Sequence, residues 1–245
     1  INLDEIEVIE AYNILNQDQY FFAYRPPYVL EFIYQGIDYV MINNHFKCCG
    51  DGELDLNDSS DEEYRRLISN QLLEEYVNDT YPNKRVIILG DLNDSLTDEE
   101  EDNVFWNFLN SDLFLFADYS IANGTSSNWS FPGWPSHIDH ILISNELFID
   151  FENSDIFTFK VDDYLLGGIN TYDNYISDHR PVFMRFDFGN NIQGDINSDG
   201  TLDILDVIAI VNLVLGDQYN EFADMNYDGM LNVMDVVIVV NSILN

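Results

Sequence analysis

Along the first 188 residues, some segments show the composition and apolar runs of β-strands and others show the apolar spacing of α-helices. The segments 28–34 and 37–43 are rich in aromatic and β-branched residues and meet near Gly36, which predicts two neighbouring strands. The apolar run 85–89 is followed by turn-forming residues and predicts a buried strand. Further strands are predicted at 138–144, 156–161 and 181–188.

Helical spacing of apolar residues occurs between these strands. Residues 61–77 place their apolar side chains on one helical face, and a second helix is predicted at 99–109. Two serine–glutamate pairs offer a capping box for the first helix, Ser59 with Glu62 and Ser60 with Glu63. Because helices are interleaved with strands, and some strands are joined too closely for a helical crossover, the pattern predicts an α/β domain with a mixed sheet.

The end of the chain contains an internal repeat. Gly194–Gly216 aligns without gaps on Ala223–Asn245 at an offset of 29 residues, with identical residues at 10 of 23 positions. Each copy begins with a polar loop and ends in an apolar run about half as long as a membrane-spanning helix requires. The repeat therefore predicts two short core helices, and no transmembrane segment is expected.

Each polar loop carries oxygen donors at positions 1, 3, 5, 9 and 12 and Gly at position 6, the spacing of an EF-hand calcium loop. Position 7 would donate its backbone carbonyl. A single loop of this kind is also explained by a polar turn, but two copies with matched helices predict Ca²⁺ binding. The predicted ligands are Asp195, Asn197, Asp199, Thr201, Asp203 and Asp206 in the first loop, and Asp224, Asn226, Asp228, Met230, Asn232 and Asp235 in the second.

Charge separates the two parts of the chain. There are 45 acidic and 9 basic residues, a formal net charge of −36. Such a chain repels phosphate backbones except where a metal ion or a local basic patch inverts the field, which excludes a protein that coats polyanions. From residue 189 onward there are nine acidic residues and no Lys or Arg. We therefore expect two domains, 1–188 and 189–245.

The two cysteines, Cys48 and Cys49, are adjacent in sequence. Neighbouring cysteines provide neither a disulfide framework nor a spaced zinc site. Two reduced thiols and a strained disulfide between neighbours remain as alternatives.

Four polar motifs lie at the ends of predicted strands, where active-site loops usually occur. Taken singly, each is explained equally well by a surface turn or a hydrogen-bonded strand end. Their combination and order are more specific. The motifs are Asn43-Asn44-His45, Gly90-Asp91-Leu92-Asn93, His137-Ile138-Asp139-His140 and Ser177-Asp178-His179.

The order of these motifs resembles the endonuclease/exonuclease/phosphatase superfamily, which includes secreted bacterial nucleases and sphingomyelinases. The segment YRPPY at 24–28 is similar to an Arg-Pro motif of the secreted nucleases, and the resemblance covers about residues 20–188. It implies a four-layer α/β/β/α sandwich and a phosphodiester hydrolase that uses Mg²⁺ or Mn²⁺.

The resemblance also implies a role for each motif residue. Asp91 would orient or activate the attacking water, and Asn93 would hold that water or a phosphoryl oxygen. His179 would act as general base or phosphate-binding group, with Asp139 fixing its tautomer. His45 would contact the phosphate or the leaving group. The remaining candidates are Asn44 and Lys47 for phosphate binding, Asp178 as a catalytic metal ligand, and Arg25, Arg65, Arg66 and Arg180 as further basic groups that could gather phosphate.

Four details qualify the resemblance. In the family, a metal-ligating Glu lies on an earlier strand, and no counterpart precedes YRPPY, so we expect an N-terminally truncated catalytic domain. His137 stands where family members commonly have Arg. His140 is expected to point away from the site of Asp139, because side chains alternate along a strand. Lys47 is explained equally well as a solvated lysine at a strand end.

The tail resembles a type I dockerin module over almost all of 194–245. Dockerins likewise have Asp at loop position 12, and they select a partner through positions 10 and 11. These positions hold Ile204-Leu205 and Val233-Met234. A hydrophobic contact with a cohesin-like or cell-surface protein and packing of the two helices against each other are alternative explanations. A secreted or cell-surface bacterial protein is implied, since extracellular calcium fills weak sites.

The leading hypothesis is an extracellular nuclease with a calcium-dependent docking tail. A phosphomonoesterase or a sphingomyelinase-type lipid phosphodiesterase is the alternative within the same family. A non-catalytic surface or scaffold protein that acts through its tail is the alternative from another class.

Overall fold

The computed structural model describes residues 6–34, 36–152, 154–186, 193–197, 201–216 and 218–244. The chain divides into two compact units, Ile1–Phe186 and Asp187–Asn245. These are termed the larger unit and the smaller unit.

The larger unit is built on a mixed sheet of six strands. The strands are β1 (Ile6–Asn13), β2 (Tyr28–Tyr34), β3 (Ile37–His45), β4 (Arg85–Asp91), β5 (Phe114–Phe116) and β6 (Asp139–Ser144). Their order is β1-β2-β3-β4-β6-β5. Only the β3–β4 pair among them is parallel, as expected for two strands connected by a helical crossover. A second sheet pairs β7 (Asp155–Thr158) with β8 (Val182–Arg185), and β8 contacts β6.

Helix α1 (Glu62–Thr80) forms that crossover. Its N-cap is Asp61, whose side chain accepts a hydrogen bond from the backbone N–H of Tyr64 at 2.7 Å. The predicted serine capping box is therefore wrong, because an aspartate one residue closer to the helix takes the cap. The other helices are short: α2 (Trp106–Leu109), α3 (Tyr119–Ala122), α4 (Phe148–Glu152) and α5 (Ile169–Tyr175), with 3-10 turns at Asn16–Asp18, Ser126–Asn128, Asn145–Leu147 and Val161–Tyr164.

The main hydrophobic core lies between α1 and the sheet. Leu73 and Val77 of α1 belong to the same buried cluster as residues that alternate along the two central strands. These residues are Val40 and Ile42 on β3, and Val86 and Ile88 on β4. Packing against this helix fixes β3 and β4 side by side, and their last residues carry two of the motifs.

The predicted α/β class is confirmed, and several element bounds differ from expectation. The helix predicted at 99–109 is reduced to α2. Strand β7 ends at Thr158, and β8 ends at Arg185, while residues 187–188 lie outside the described part of the chain. Strands β1 and β5 have no counterpart in the sequence prediction. Of the expected four-layer sandwich, the second sheet contains two strands among the described residues.

The smaller unit contains two helices, α6 (Ile204–Leu215) and α7 (Val233–Leu244), as the repeat predicts. Val207, Ile210, Ala223 and Val239 form its buried core. Asp203 caps α6 through a capping box with Asp206. Across the described residues of both units, no helix combines the length and apolarity that a membrane span requires.

Candidate active site

Strand register places three of the predicted site residues side by side. In the parallel pair β3–β4, His45 lies opposite Asp91. In the antiparallel pair β4–β6, Asp91 lies opposite Asp139. The three residues therefore stand in line across the ends of three neighbouring strands.

His179 joins this line from the loop between α5 and β8. Its Nδ1 lies 2.7 Å from Asp139 Oδ2, and its Nε2 lies 3.9 Å from Asp91 Oδ2. His45 Nε2 lies 3.4 Å from the same Asp91 oxygen. The ring of Phe131 packs on His179 with centroids 4.8 Å apart. His45, Asp91, Asp139 and His179 are termed the carboxylate–histidine row.

The pKa values of the two histidines in the row are shifted in opposite directions. The hydrogen bond to Asp139 raises the pKa of His179 despite partial burial, and the charge of Asp91 adds to this effect. Burial, followed by the positive charge of Arg25, lowers the pKa of His45. Burial and the neighbouring Asp139 raise the pKa of Asp91. Titratable groups whose pKa values are separated in this way are typical of sites that divide acid and base roles.

Gly90 is required by the close approach of β3. Its φ is +135°, and a Cβ atom at this position would lie 1.9 Å from the carbonyl oxygen of Asn44. Any other residue would push the two strands apart and disturb the pairing of His45 with Asp91. The Gly-Asp sequence at the end of β4 therefore has a steric origin as well as a chemical one.

Asn93 lies next to the row with a left-handed backbone, φ +57°. Its backbone N–H donates to Asp91 Oδ1 at 3.1 Å, and its Nδ2 donates to the carbonyl of Phe46 at 3.2 Å. The same carbonyl accepts a hydrogen bond from Arg25 Nη2 at 2.7 Å. Arg25 thus braces the segment that follows β3, a structural role that the sequence did not predict. The only signal for it was the similarity of YRPPY to a family motif.

Asn44 is not part of the row. It is 4% exposed, and its Nδ2 donates to the carbonyl of Ile42 at 3.0 Å. Because side chains alternate along β3, Asn44 points into the core where His45 points outward. This placement does not match the phosphate contact expected for Asn44.

Lys47 and Asp178 also lie outside the row. Lys47 Nζ donates to the carbonyl of Cys48 at 2.7 Å and lies 3.2 Å from a Glu62 oxygen, so its charge is engaged by the neighbouring helix. Asp178 is exposed and does not join the metal-capable group formed by its neighbours in the row. It does add to the electrostatic field that raises the pKa of His179.

Most of the candidate arginines have structural partners. Arg180 forms a two-point ion pair with Asp162, at 2.9 and 2.5 Å. Arg66 binds Asp94 at 2.7 Å and is 2% exposed. Arg65 is buried and lies over a tyrosine ring at 4.3 Å. The expectation that these three arginines gather phosphate is wrong, because their charges are already used to hold the fold together.

A second group of carboxylate and imidazole side chains lies inside the larger unit. Asp118 Oδ2 lies 2.6 Å from His140 Nδ1 and 3.0 Å from His137 Nε2. Asp118 Oδ1 accepts the backbone N–H of Ile141 at 2.8 Å. As expected from strand alternation, His140 points away from Asp139. Asp118, His137 and His140 are termed the buried histidine cluster.

The outer nitrogens of the cluster are also paired. His137 Nδ1 accepts the backbone N–H of Ser130 at 3.2 Å, and His140 Nε2 lies 2.9 Å from the backbone carbonyl of Asp94. Burial acts to raise the pKa of Asp118, but the two imidazoles hold it well below its usual range. Burial acts to lower the pKa of His140, and the charge of Asp118 outweighs this effect and raises it.

The row has the donors that a divalent ion requires. One ligand atom each of Asp91, Asp139 and His179 lie within 4.8 Å of one another. Mg²⁺ is usually bound through one or two carboxylates and completes its shell with water and substrate oxygens. The charge of Asp139 contributes to the raised pKa of Asp91, and a cation between the two carboxylates would relieve that repulsion. The residues present therefore fit a divalent ion held mainly by Asp91 and Asp139.

The two loops of the smaller unit close in the same way. The carboxylate of Asp206, at position 12 of the first loop, accepts the backbone N–H groups of positions 2 and 9 at 2.8 and 2.9 Å. Asp235, its counterpart in the second loop, does the same at 3.0 and 2.9 Å. Asp199 lies outside the described residues. The other predicted ligands belong to these loops: Asp195, Asn197, Thr201, Asp203, Asp224, Asn226, Asp228, Met230 and Asn232.

Burial supports a cation in these loops. Asp206 and Asp235 are 0% exposed and Asp224 is 2% exposed. The sequence from 189 onward contains no Lys or Arg that could neutralise them. Burying carboxylates without a positive partner is costly, so an oxygen-lined loop of this kind fits Ca²⁺.

Positions 10 and 11 of the loops are exposed on the surface. Ile204 and Leu205 are 62% and 53% exposed, and Val233 and Met234 are 65% and 56% exposed. Packing of α6 against α7 therefore does not explain these exposed apolar residues.

Comparison with known proteins gives one family match and a set of structures with a similar fold. Residues 193–244 match the dockerin type I domain. No curated protein sequence matches the chain. The fold is similar to that of a solved TDP2 structure, and at 12% identity this likeness shows the fold alone.

Among the similar structures, D. rerio TDP2 complexed with a single-strand DNA product is 12% identical, with a TM-score of 0.53 over 75% of this chain and 69% of that chain. The endonuclease/exonuclease/phosphatase from Bacteroides vulgatus is 12% identical, with a TM-score of 0.46 over 75% of this chain and 67% of that chain. The human Nocturnin catalytic domain is 16% identical, with a TM-score of 0.44 over 74% and 61%.

Proposed function

We propose that the larger unit is a divalent-metal-dependent phosphodiester hydrolase with nuclease activity, and that the smaller unit anchors it to a partner in the presence of Ca²⁺. The observation that carries the proposal is the carboxylate–histidine row. Four polar groups from β3, β4, β6 and the loop before β8 converge at one end of the sheet, and His179 is oriented by Asp139.

The row can activate a water molecule and hold a phosphoryl group. The 3.9 Å between His179 Nε2 and Asp91 Oδ2 is too long for a direct hydrogen bond and suits a bridging water or substrate oxygen. Asp91, with its raised pKa, accepts the proton of that water, and Asn93 fixes the orientation of Asp91.

The two histidines take different parts. His179, whose pKa is raised, donates a hydrogen bond to a phosphoryl oxygen and stabilises the charge that develops there, and the proton that Asp91 takes from the water passes to the leaving oxygen. His45, whose pKa is lowered, stays neutral and contacts the leaving group. Asp139 holds the His179 ring through Nδ1 and leaves Nε2 directed at the substrate. A bound Mg²⁺ or Mn²⁺ would neutralise phosphoryl charge next to Asp91 and Asp139; Asp178 is a further candidate ligand.

Substrate binding at this site depends on the metal more than on basic side chains. The chain has a net charge of −36, and Arg66 and Arg180 are committed to buried carboxylates. A short or single-stranded nucleic acid, which brings few phosphates to the protein surface, is therefore the preferred substrate class. The similar TDP2 structure holds a single-strand DNA product, which supports testing single-stranded DNA first.

The smaller unit would bind a cohesin-like protein through the exposed apolar residues of α6 and α7. Together with the calcium loops, this predicts a secreted or cell-surface protein. We expect Leu205→Asp combined with Met234→Asp to abolish calcium-dependent binding to a cohesin probe. The matched control is Leu215→Asp, since Leu215 is 80% exposed at the far end of α6. Equal binding by the double variant and the control would contradict this docking surface.

The experiment that tests the catalytic proposal uses the full chain with added Mg²⁺ or Mn²⁺. Single-stranded DNA, a phosphodiester dye ester, a phosphomonoester dye ester and sphingomyelin vesicles are compared as substrates. We expect hydrolysis of single-stranded DNA that His179→Ala reduces by about 10³-fold. Asp173→Asn, an exposed change on α5, serves as the control.

Each other outcome has a defined meaning. Hydrolysis of the phosphomonoester or of sphingomyelin alone would replace the nuclease assignment by one of the alternatives. Absence of any hydrolysis that depends on His179 would favour a scaffold protein that acts through its smaller unit.

A further inference from the structure

A third cluster of acidic side chains lies between β3 and α1, outside the carboxylate–histidine row. It is formed by Asp51 in the loop after β3, by the helix cap Asp61, and by Glu63 in the first turn of α1. One carboxylate oxygen from each of the three lies within 4.8 Å of the others. Acidic residues often gather on a surface without binding anything, so the cluster alone does not indicate a ligand.

Glu63 distinguishes this cluster from an ordinary acidic surface. Its side chain is 2% exposed. Oε1 accepts the backbone N–H of Gly52 at 2.9 Å and pairs with Arg66 Nη2 at 2.9 Å. Oε2 is buried and has no hydrogen-bond partner. A buried carboxylate oxygen without a donor is costly, which indicates that a positive group belongs next to it.

The loop backbone covers this carboxylate closely. Gly50 has a φ of +108°, and a Cβ atom there would lie 2.1 Å from Glu63 Oε1 and 2.5 Å from Oε2. Holding the loop in place explains the contacts of Oε1. It does not explain why Oε2 is buried without a donor, on a side chain that belongs to a group of three carboxylates.

Protein cations do not neutralise the cluster. Arg66 is shared between Glu63 and Asp94. Among the described residues, no basic side chain pairs with Asp51 or Asp61. Each of these two aspartates uses one oxygen in a local backbone hydrogen bond, to Glu53 N at 3.1 Å and to Tyr64 N at 2.7 Å, respectively. All three carboxylates therefore keep one oxygen available.

We propose that Asp51, Asp61 and Glu63 form a calcium site in the larger unit, separate from the active site and from the loops of the smaller unit. Calcium takes oxygen ligands at about 2.3–2.6 Å, so oxygens around one ion lie up to about 5 Å apart. Oxygens of the three carboxylates lie within 4.8 Å of one another, which this range allows. Three carboxylates suit Ca²⁺, whereas Mg²⁺ keeps most of its water and is usually held by one or two. The bound ion ties the loop after His45 to the first turn of α1.

The chain contains its own reporter for this site. Cys48 and Cys49 are its only cysteines, and both are exposed in the loop that the ion would fix. Arg66 Nη1 donates to the carbonyl of Cys49 at 2.8 Å, which links the thiols to the same loop contacts. Alkylation of these thiols by iodoacetamide therefore follows the larger unit and does not respond directly to calcium in the smaller unit.

The test measures alkylation of the full chain after chelation and with increasing Ca²⁺. At calcium of about ten times Kd, about nine-tenths of the chains hold the ion. The exposed thiols are then fixed in the conformation in which Cys49 bonds to Cys48 Sγ, and we expect them to be alkylated up to about tenfold more slowly. Asp51→Asn is expected to raise the calcium midpoint by about tenfold or more and to remove one bound calcium per chain in equilibrium dialysis. Glu53→Gln, an exposed charge change in the same loop, should behave as the wild type.

Two further variants keep the result unambiguous. Asp224→Asn alters a loop of the smaller unit and should leave the effect of calcium on alkylation unchanged. Glu63→Gln should abolish that effect while far-UV circular dichroism shows a folded chain. Alkylation that is independent of calcium, equal calcium midpoints for Asp51→Asn and Glu53→Gln, or equal protection by Mg²⁺ would overturn the proposal.

Discussion

The carboxylate–histidine row and the buried histidine cluster both consist of Asp and His side chains. They differ in how many of their polar atoms have a hydrogen-bond partner inside the protein. In the cluster, both oxygens of Asp118 and all four ring nitrogens of His137 and His140 have partners inside the protein. In the row, His179 uses Nδ1 for Asp139, and its Nε2 faces Asp91 at 3.9 Å.

Solvent access separates the two groups in the same way. The side chains of His45 and His179 are 48% and 25% exposed, whereas those of His137 and His140 are 2% and 0% exposed. One motif contributes a residue to each group, because Asp139 and His140 are consecutive on β6 and point to opposite sides. A group of Asp and His residues is therefore a candidate for catalysis when some of its polar atoms are accessible and have no partner. A group in which every polar atom has a partner stabilises the fold.

Replacing the aspartate of the row should give the largest effect. Asp139→Asn leaves His179 without a carboxylate to select its tautomer, a change that lowers kcat by about 10⁴-fold in a comparable histidine–aspartate pair. We expect kcat for single-stranded DNA to fall by about 10³-fold or more while the free energy of unfolding changes by less than about 1 kcal/mol. Steady-state kinetics and urea denaturation measure the two quantities. A loss of stability comparable to the loss of activity would mean that the row, too, is mainly structural.

The same substitution in the buried cluster should have the opposite consequence. Asp118→Asn leaves His140, whose pKa this carboxylate raises, buried without its counter-charge. Removing one partner of a buried ion pair costs about 3–5 kcal/mol, and the isosteric amide should keep the loss near about 3 kcal/mol. Urea denaturation is the measurement. Stability within about 0.5 kcal/mol of the wild type would show that the cluster contributes little to folding and would weaken the comparison.

Sequence patterns predicted the row better than the cluster, for a physical reason. Polar residues at strand ends are local features, so NNH, GDLND and SDH could be recognised one by one, and strand pairing then brought His45, Asp91 and Asp139 together. Asp118 lies in a segment without a motif, and it reaches His140 from 22 positions away. Nothing local predicts that contact.

Other differences have the same origin. Asn44 fits the family motif, but its burial depends on which face of β3 meets α1. Arg66 is one of the basic groups expected to gather phosphate, but its charge is paired with Glu63 and Asp94. In both cases the tertiary environment overrides what the residue type suggests.

The buried histidine cluster should also make the free energy of unfolding depend on pH, an effect smaller than that of replacing Asp118. The pKa of Asp118 is lowered on folding from 3.8, so its contribution is present above that pH and is lost in acid. The pKa of His140 is raised from 6.5, so its contribution is complete below that pH and is lost as the pH rises through the folded value. The destabilisation caused by Asp118→Asn should therefore be largest between about pH 4 and 6.5 and should become smaller as the pH rises through the folded pKa of His140. Urea denaturation across this range is the measurement, and a constant difference would show that His140 is neutral in the folded protein.

The smallest predicted effect on stability comes from Asp98. Its carboxylate, unlike that of Asp118, has no positively charged partner among the described residues. It is half-buried, and burial followed by the nearby charge of Asp94 raises its pKa from 3.8 to about 7. Arg66 binds Asp94, and no ion pair reaches Asp98 among the described residues. The folded chain therefore holds this proton more tightly than the unfolded chain, so stability decreases as the pH rises from about 4 to 7.

Asp98→Asn should remove this penalty. We expect the variant to match the wild type near about pH 4 and to be more stable by about 1 kcal/mol at about pH 8, a value reduced for solvent screening of a half-buried group. Glu100→Gln, an exposed change two residues away, should be neutral at both pH values. Thermal or urea denaturation at the two pH values measures the difference. Asp98 lacks the hydrogen-bonded histidines of Asp118 and is less exposed than the histidines of the row. If Asp98→Asn and the wild type are equally stable at about pH 8, partial exposure alone is enough to keep a half-buried carboxylate charged.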